Sequence, residues 1–194
     1  MTISLGVLFS GGGRTILNLL DCIERGELDA KISIAIASRD GIAGIDRLTE
    51  RGVDVAIAKL GGMRDDEGDV RTSAWLEESK PDIVCLCGYL RFLEIQPWME
   101  GRVLNIHPSL LPTHGGRGMY GLRVHEAVLA NGDTTSGCTV HFVDGEYDHG
   151  PTILQRTCEV SKEDSPQDLA DRVFALECEA YPAAIMQLVT SLQP

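Results

Sequence analysis

At 194 residues, with 43% hydrophobic and 24% charged content, the chain is long enough to bury the core of one soluble domain without covalent staples. A formal net charge of −12 argues against nucleic acid or an anionic membrane surface as partner, because phosphate-rich polymers are held by basic patches. No apolar run reaches the roughly 18 residues of a membrane span and no charged leader precedes an apolar core, so a cytoplasmic protein is expected.

The chain opens on an apolar run, residues 3–9, that reads as a buried strand. The segment Phe9-Ser10-Gly11-Gly12-Gly13-Arg14-Thr15 then makes a glycine turn. A helix over 16–25 follows, with Ile16, Leu19, Leu20 and Ile23 on its apolar face, and Gly26 stops it. Strands are expected at 31–37 and 53–58, with a helix over 42–50 between them. Residues 61–69, rich in glycine and acid, read as a mobile loop before a helix that ends near Lys80. Further strands fall at 82–87 and 102–106. Nearly continuous apolar strands alternating with helices imply a parallel sheet covered on both faces.

After Pro112 the pattern changes. Residues 113–121 hold four glycines and read as an irregular loop over a site. A helix is expected over 122–130. Residues 135–143 and 152–160 alternate as strands do, joined by an acidic loop that carries Asp148, and an antiparallel pair is expected there. Asp164 or Ser165 caps a last helix, with Pro166 in its first turn, running to about Leu188. Residues 1–194 therefore read as a single α/β domain. Its expected form is a Rossmann-like, mostly parallel sheet with helices on both faces and a C-terminal antiparallel strand pair.

Three residue types stand out chemically. Asn105 and His107 lie two apart at the end of an expected strand, so they point to one side, and Pro108 and Pro112 stiffen the chain beyond them. An amide can donate to a carbonyl oxygen that becomes negative, and an imidazole can move a proton near neutral pH. Asp148 either orients that imidazole or carries protons itself, unless it is an ordinary turn acid. Together they suit acyl transfer to an amine, and with no Ser or Cys in a nucleophile elbow, direct transfer is the natural reading. The glycine turn at 11–13 lets backbone N–H groups at a helix start meet a phosphate, although it matches neither the dinucleotide fingerprint nor the P-loop. The six cysteines lack zinc-ligand spacing and read as free, buried thiols, so no metal is expected.

The motifs Phe9-Ser10-Gly11-Gly12-Gly13, Gly88-Tyr89-Leu90-Arg91-Phe92-Leu93, Asn105-Ile106-His107-Pro108-Ser109-Leu110-Leu111-Pro112, His141-Phe142-Val143 and Asp148-His149-Gly150-Pro151 carry a resemblance over essentially the whole chain. The sequence resembles the phosphoribosylglycinamide formyltransferases, folate-dependent enzymes of purine synthesis. The resemblance implies formyl transfer from 10-formyltetrahydrofolate, as co-substrate, to the amine of glycinamide ribonucleotide, by direct attack through a tetrahedral intermediate. It makes Asn105, His107 and Asp148 catalytic. It places the substrate phosphate on Gly11, Gly12 and Gly13, with Arg14 and Thr15 standing where the family's commonest loop has Ser and Asn. It assigns Glu177 to the substrate sugar, and the folate to Leu90, Arg91, Phe92 and Leu93, largely through backbone groups, and to Val143. The family's substrate-binding Arg has two possible counterparts, Arg64 and Arg71. Three other readings stand beside this one: formylation of another amine such as an amino-sugar nucleotide, hydrolysis of the formyl folate, and a non-catalytic phosphate- or folate-binding module. A monomer or homodimer is expected.

Overall fold

The computed structural model describes residues 2–59 and 65–192. Among the described residues seven strands, β1 (Ile3–Phe9), β2 (Ala30–Ala37), β3 (Val55–Ile57), β4 (Ile83–Leu86), β5 (Val103–His107), β6 (Thr135–Phe142) and β7 (Thr152–Glu159), occur in the order β3-β2-β1-β4-β5-β6-β7. The chain divides into two compact units, Met1–Leu104 and Asn105–Pro194, whose boundary falls inside β5 (Val103–His107).

In the first unit, β1 (Ile3–Phe9) pairs in parallel with β2 (Ala30–Ala37) on one side and β4 (Ile83–Leu86) on the other, and β2 pairs in parallel with β3 (Val55–Ile57). The apolar runs explain the order. Leu5, Val7, Leu8 and Phe9 of β1 and all of β4 are buried, as interior parallel strands require. The crossover helices are α1 (Arg14–Glu24), α2 (Ala43–Glu50) and α3 (Asp65–Ser79). On α1 the buried residues are Ile16, Leu19 and Cys22, so the expected face turns slightly: Cys22 is inside, while Leu20 and Ile23 are half-buried. The loop expected over 61–69 is corrected at its end, where α3 already begins at Asp65; residues 60–64 lie outside those described. A 3-10 turn at Pro97–Met99, not foreseen, buries Met99.

In the second unit, β6 (Thr135–Phe142) and β7 (Thr152–Glu159) pair antiparallel, as their alternation predicts, with a register shift between Val140 and His141. Helices α4 (Leu122–Asn131) and α5 (Pro166–Leu192) complete it, and α5 packs on β6, β7 and α4 through Leu169, Val173, Tyr181 and Ile185, all fully buried. Ser165 caps α5: its N–H donates to Asp168 Oδ2 at 2.9 Å, and the Asp168 N–H donates back to Ser165 Oγ at 3.2 Å. The helix runs past the expected Leu188 and through Pro182.

Candidate functional site

The glycine turn lies between the buried end of β1 and the start of α1. Gly13 takes a left-handed φ of 72° as the helix N-cap and offers no side chain, so no side-chain cap lies over the first turn. Gly44 at the head of α2 lets that helix seat against the turn: its N–H bonds the Gly11 carbonyl at 3.1 Å, and a Cβ there would lie 2.6 Å from that oxygen. Arg47, one turn on, donates from Nη1 to the Gly12 carbonyl at 3.0 Å and so brings a cation to the turn. Nothing in the sequence pattern singled Arg47 out. Arg14 and Thr15 fall in the first turn of α1.

The segment expected to meet folate is tied to this turn within the same unit. Ser10 N–H donates to the Gly88 carbonyl at 3.1 Å, and Leu90 N–H donates to Ser10 Oγ at 2.9 Å. Leu90 and Phe92 are 52% and 45% exposed, whereas Leu93 is buried. Leu90 and Phe92 thus leave apolar surface open to solvent. The Arg91 guanidinium makes two bonds to the Asp69 carboxylate, 2.8 and 2.9 Å, and anchors the segment to α3. Arg71 is an exposed residue within α3, and Arg64 lies outside the described residues.

In the second unit, Asn105, His107 and Asp148 come together as expected. Asn105 and His107 extend from β5, and both reach Asp148: Asn105 Nδ2 stands 3.3 Å from Oδ1, and His107 Nδ1 stands 3.4 Å from Oδ2. Asp148 has a φ of 53° in the loop between β6 and β7 and accepts a 2.9 Å bond from the Gly116 N–H. The loop over 113–121 thus enters the site through its backbone. It does so again at His114, whose carbonyl accepts from His107 Nε2 at 2.9 Å. A carbonyl only accepts, so Nε2 carries the proton and Nδ1 is the nitrogen that faces Asp148.

His141 joins this group, although the sequence reading gave it no role beyond its motif. The register shift in β6 precedes it, as bulges next to functional sites often re-aim a side chain. Its Nδ1–H donates to the Phe142 carbonyl at 2.7 Å, which leaves Nε2 to accept from Asn105 Nδ2 at 3.1 Å. Asn105 therefore has both amide hydrogens placed, one toward His141 and one toward Asp148. Val143 and Glu177 are half-buried on the same unit, Val143 just after β6 and Glu177 on α5.

Electrostatics distinguish the members. Burial pulls His107 below the ordinary imidazole value, against the opposing pull of the Asp148 charge and the His114 carbonyl. Burial pushes Asp148 up, but the His141 side chain, the His107 charge and the Gly116 N–H outweigh it, and the carboxyl sits below its usual range. At neutral pH the pair rests as neutral imidazole and carboxylate. Burial also pushes the Cys138 thiol up to about 12. Cys22, Cys85, Cys87 and Cys138 are buried, as expected of small hydrophobes, while Cys158 and Cys178 are half-buried, and all six are thiols outside any disulfide. Among the described residues no group of three His, Cys, Asp or Glu is placed to hold a metal ion, and no helix is long and apolar enough to cross a membrane.

Comparison with known proteins places these motifs in context. The family profile described as formyl transferase matches residues 4–185. The chain is 38% identical over 192 residues to the human trifunctional purine biosynthetic protein adenosine-3, covering 96% of this chain and 18% of that protein. It is 33% identical over 186 residues to the chloroplastic phosphoribosylglycinamide formyltransferase of Arabidopsis thaliana, covering 91% of this chain and 62% of that one. The chain thus spans less than two thirds of the length of these curated relatives. Among solved structures it resembles phosphoribosylglycinamide formyltransferase from Brucella melitensis, with a TM-score of 0.84, 32% identity, and coverage of 96% of this chain and 95% of that one. Glycinamide ribonucleotide transformylase 1 from Symbiobacterium toebii gives a TM-score of 0.83, 34% identity, and coverage of 95% and 86%.

Proposed function

The chain belongs to the formyl transferase family, and from that premise we propose that it acts as one formyltransferase domain, moving the formyl group of 10-formyltetrahydrofolate to the amine of glycinamide ribonucleotide. The observation that carries this reading is the joint reach of Asn105 and His107 to Asp148, at 3.3 and 3.4 Å. An amide donor, a neutral imidazole and a carboxylate in one cluster suit acyl transfer without a covalent enzyme intermediate.

The folate supplies the formyl group; the chain holds and moves protons around it. Leu90 and Phe92 offer exposed apolar surface for its ring, beside Arg91 and Leu93 of the same segment; Val143 carries the same family assignment. Gly11, Gly12 and Gly13 take the substrate phosphate on backbone N–H groups, with the Arg47 cation beside Gly12 and with Arg14 and Thr15 in the first turn of α1. These local charges let a protein of net charge −12 hold an anion. Glu177 takes the substrate sugar.

At the reacting centre, Asn105 Nδ2 turns a hydrogen from Asp148 to the formyl oxygen as charge develops there. Asp148 accepts the proton released by the amine, and His107 Nδ1 shares it. The imidazolium so formed donates to the same oxygen, and the proton then passes to the departing folate nitrogen. Holding both reactants together supplies the remaining advantage as effective molarity.

Mass spectrometry of the products tests the assignment. The wild type yields formylated glycinamide ribonucleotide. Asp148→Asn lowers kcat by about a hundredfold or more, the scale on which one charge-stabilising group acts, with little change in binding. Free formate as the sole product, or an Asp148→Asn enzyme of near-normal turnover, contradicts it.

A further inference from the structure

We infer that Asp133 and His114 form a positioning pair that sets the working face of His107, an inference that rests on the formyl-transfer reading above. His114 holds a φ of 54°, the left-handed region that a side chain with a Cβ disfavours. A non-glycine residue stays there only where its surroundings hold it. On the side-chain side, the contact that holds it is the 2.6 Å hydrogen bond between His114 Nε2 and Asp133 Oδ2.

Asp133 is fixed in turn by the end of α4. Gly132 closes that helix in the left-handed conformation, Asp133 N–H bonds the Val128 carbonyl at 3.3 Å, and Asp133 Oδ1 accepts from Asn131 Nδ2 at 2.7 Å. A cavity of about 250 Å³ borders the His114 ring, lined also by Ser109, Thr113, Asp133 and Ser136, so packing leaves one side of the ring open. The hydrogen bond to Asp133 is the polar contact that adds direction to that packing.

The consequence lies at the backbone. Held in this conformation, His114 directs its carbonyl to His107 Nε2, 2.9 Å away, and that bond selects the tautomer in which Nδ1 is free to face Asp148. Asp133 acts through two residues on the way to the chemistry. Its loss should therefore change turnover, not the binding of either reactant.

The test combines steady-state kinetics with nitrogen NMR of His107 in the free protein, on Asp133→Leu and Asp133→Asn. Asp133→Leu keeps the bulk and removes the acceptor. It should lower kcat about tenfold or more with KM for the ribonucleotide within about twofold, the pattern of misplaced catalytic geometry. Its His107 nitrogen shifts should depart from the Nε2–H pattern. Asp133→Asn keeps an acceptor oxygen and should restore both turnover and nitrogen pattern. An Asp133→Leu protein with the wild-type nitrogen pattern and kcat overturns the proposal, as does an unchanged nitrogen pattern beside a lost kcat. Should Asp133→Leu fail to fold, Asp133→Asn decides: loss of the Nε2–H pattern in that folded variant overturns the proposal, and its retention with near-normal kcat supports it. The nitrogen pattern needs no substrate, so a wild type inactive toward the ribonucleotide would overturn the formyl-transfer reading separately.

Discussion

At His107, burial and charge pull in opposite directions. Burial lowers its affinity for a proton, and Asp148 at 3.4 Å raises it. Its imidazole should therefore titrate below the ordinary value of 6.5 in the folded protein, and Asp148→Asn should move the midpoint lower still, because the opposing charge is gone. Proton NMR across pH 5 to 8 reads this directly; a midpoint that rises in the variant contradicts the electrostatics described. The sign for stability follows: the unfolded chain binds this proton more readily, so the His107 contribution is lost as pH falls below about 6.5. Asn105, His107 and Asp148 were legible in the sequence because their chemistry is distinctive and the strand period brings the first two to one side. His114 and Gly116 were not, since they act through a carbonyl and an N–H that any residue type supplies. His141 was half legible: its motif was visible, but the register shift before it was not.

The elements around the site show what residue patterns do and do not carry. Strands β1 and β4 were readable because an interior parallel strand needs a nearly unbroken apolar run. The start of α3 was not. Asp66, Glu67 and Gly68 look like loop residues, yet acids in the first turn of a helix meet its positive end favourably. Pro182 lies inside the helix already expected to reach Leu188, and α5 continues through it while its apolar side chains stay buried on β6 and β7. The same helix is fastened to β7 by Arg172, which donates to the Glu159 carbonyl at 2.9 Å and to the Asp164 carboxylate at 2.5 and 2.7 Å. The Arg172 hydrogen bond holds the Asp164 carboxyl down to about 2, from an ordinary 3.8. A depressed folded value means that the stabilisation is complete above the unfolded value and disappears as pH falls from about 4 to about 2. Thermal unfolding followed over that range should show a steeper loss for the wild type than for Arg172→Met; equal slopes would remove the clamp from the account.

For the molecule as a whole, composition excluded more than it identified. A net charge of −12 spoke against polyanionic partners, while a single phosphate at the glycine turn remained compatible with it, because backbone N–H groups and Arg47 act locally. Family membership rests on residues 4–185, nearly the full chain, whereas the curated relatives extend well beyond the part they share with it. The acceptor amine is therefore the point on which the account turns. The most direct measurement is the absorbance change as the purified protein deformylates a 10-formyl folate analogue, with and without glycinamide ribonucleotide. The account predicts turnover only when the ribonucleotide is present; consumption of the folate at the same rate without it, or none in either case, would contradict it.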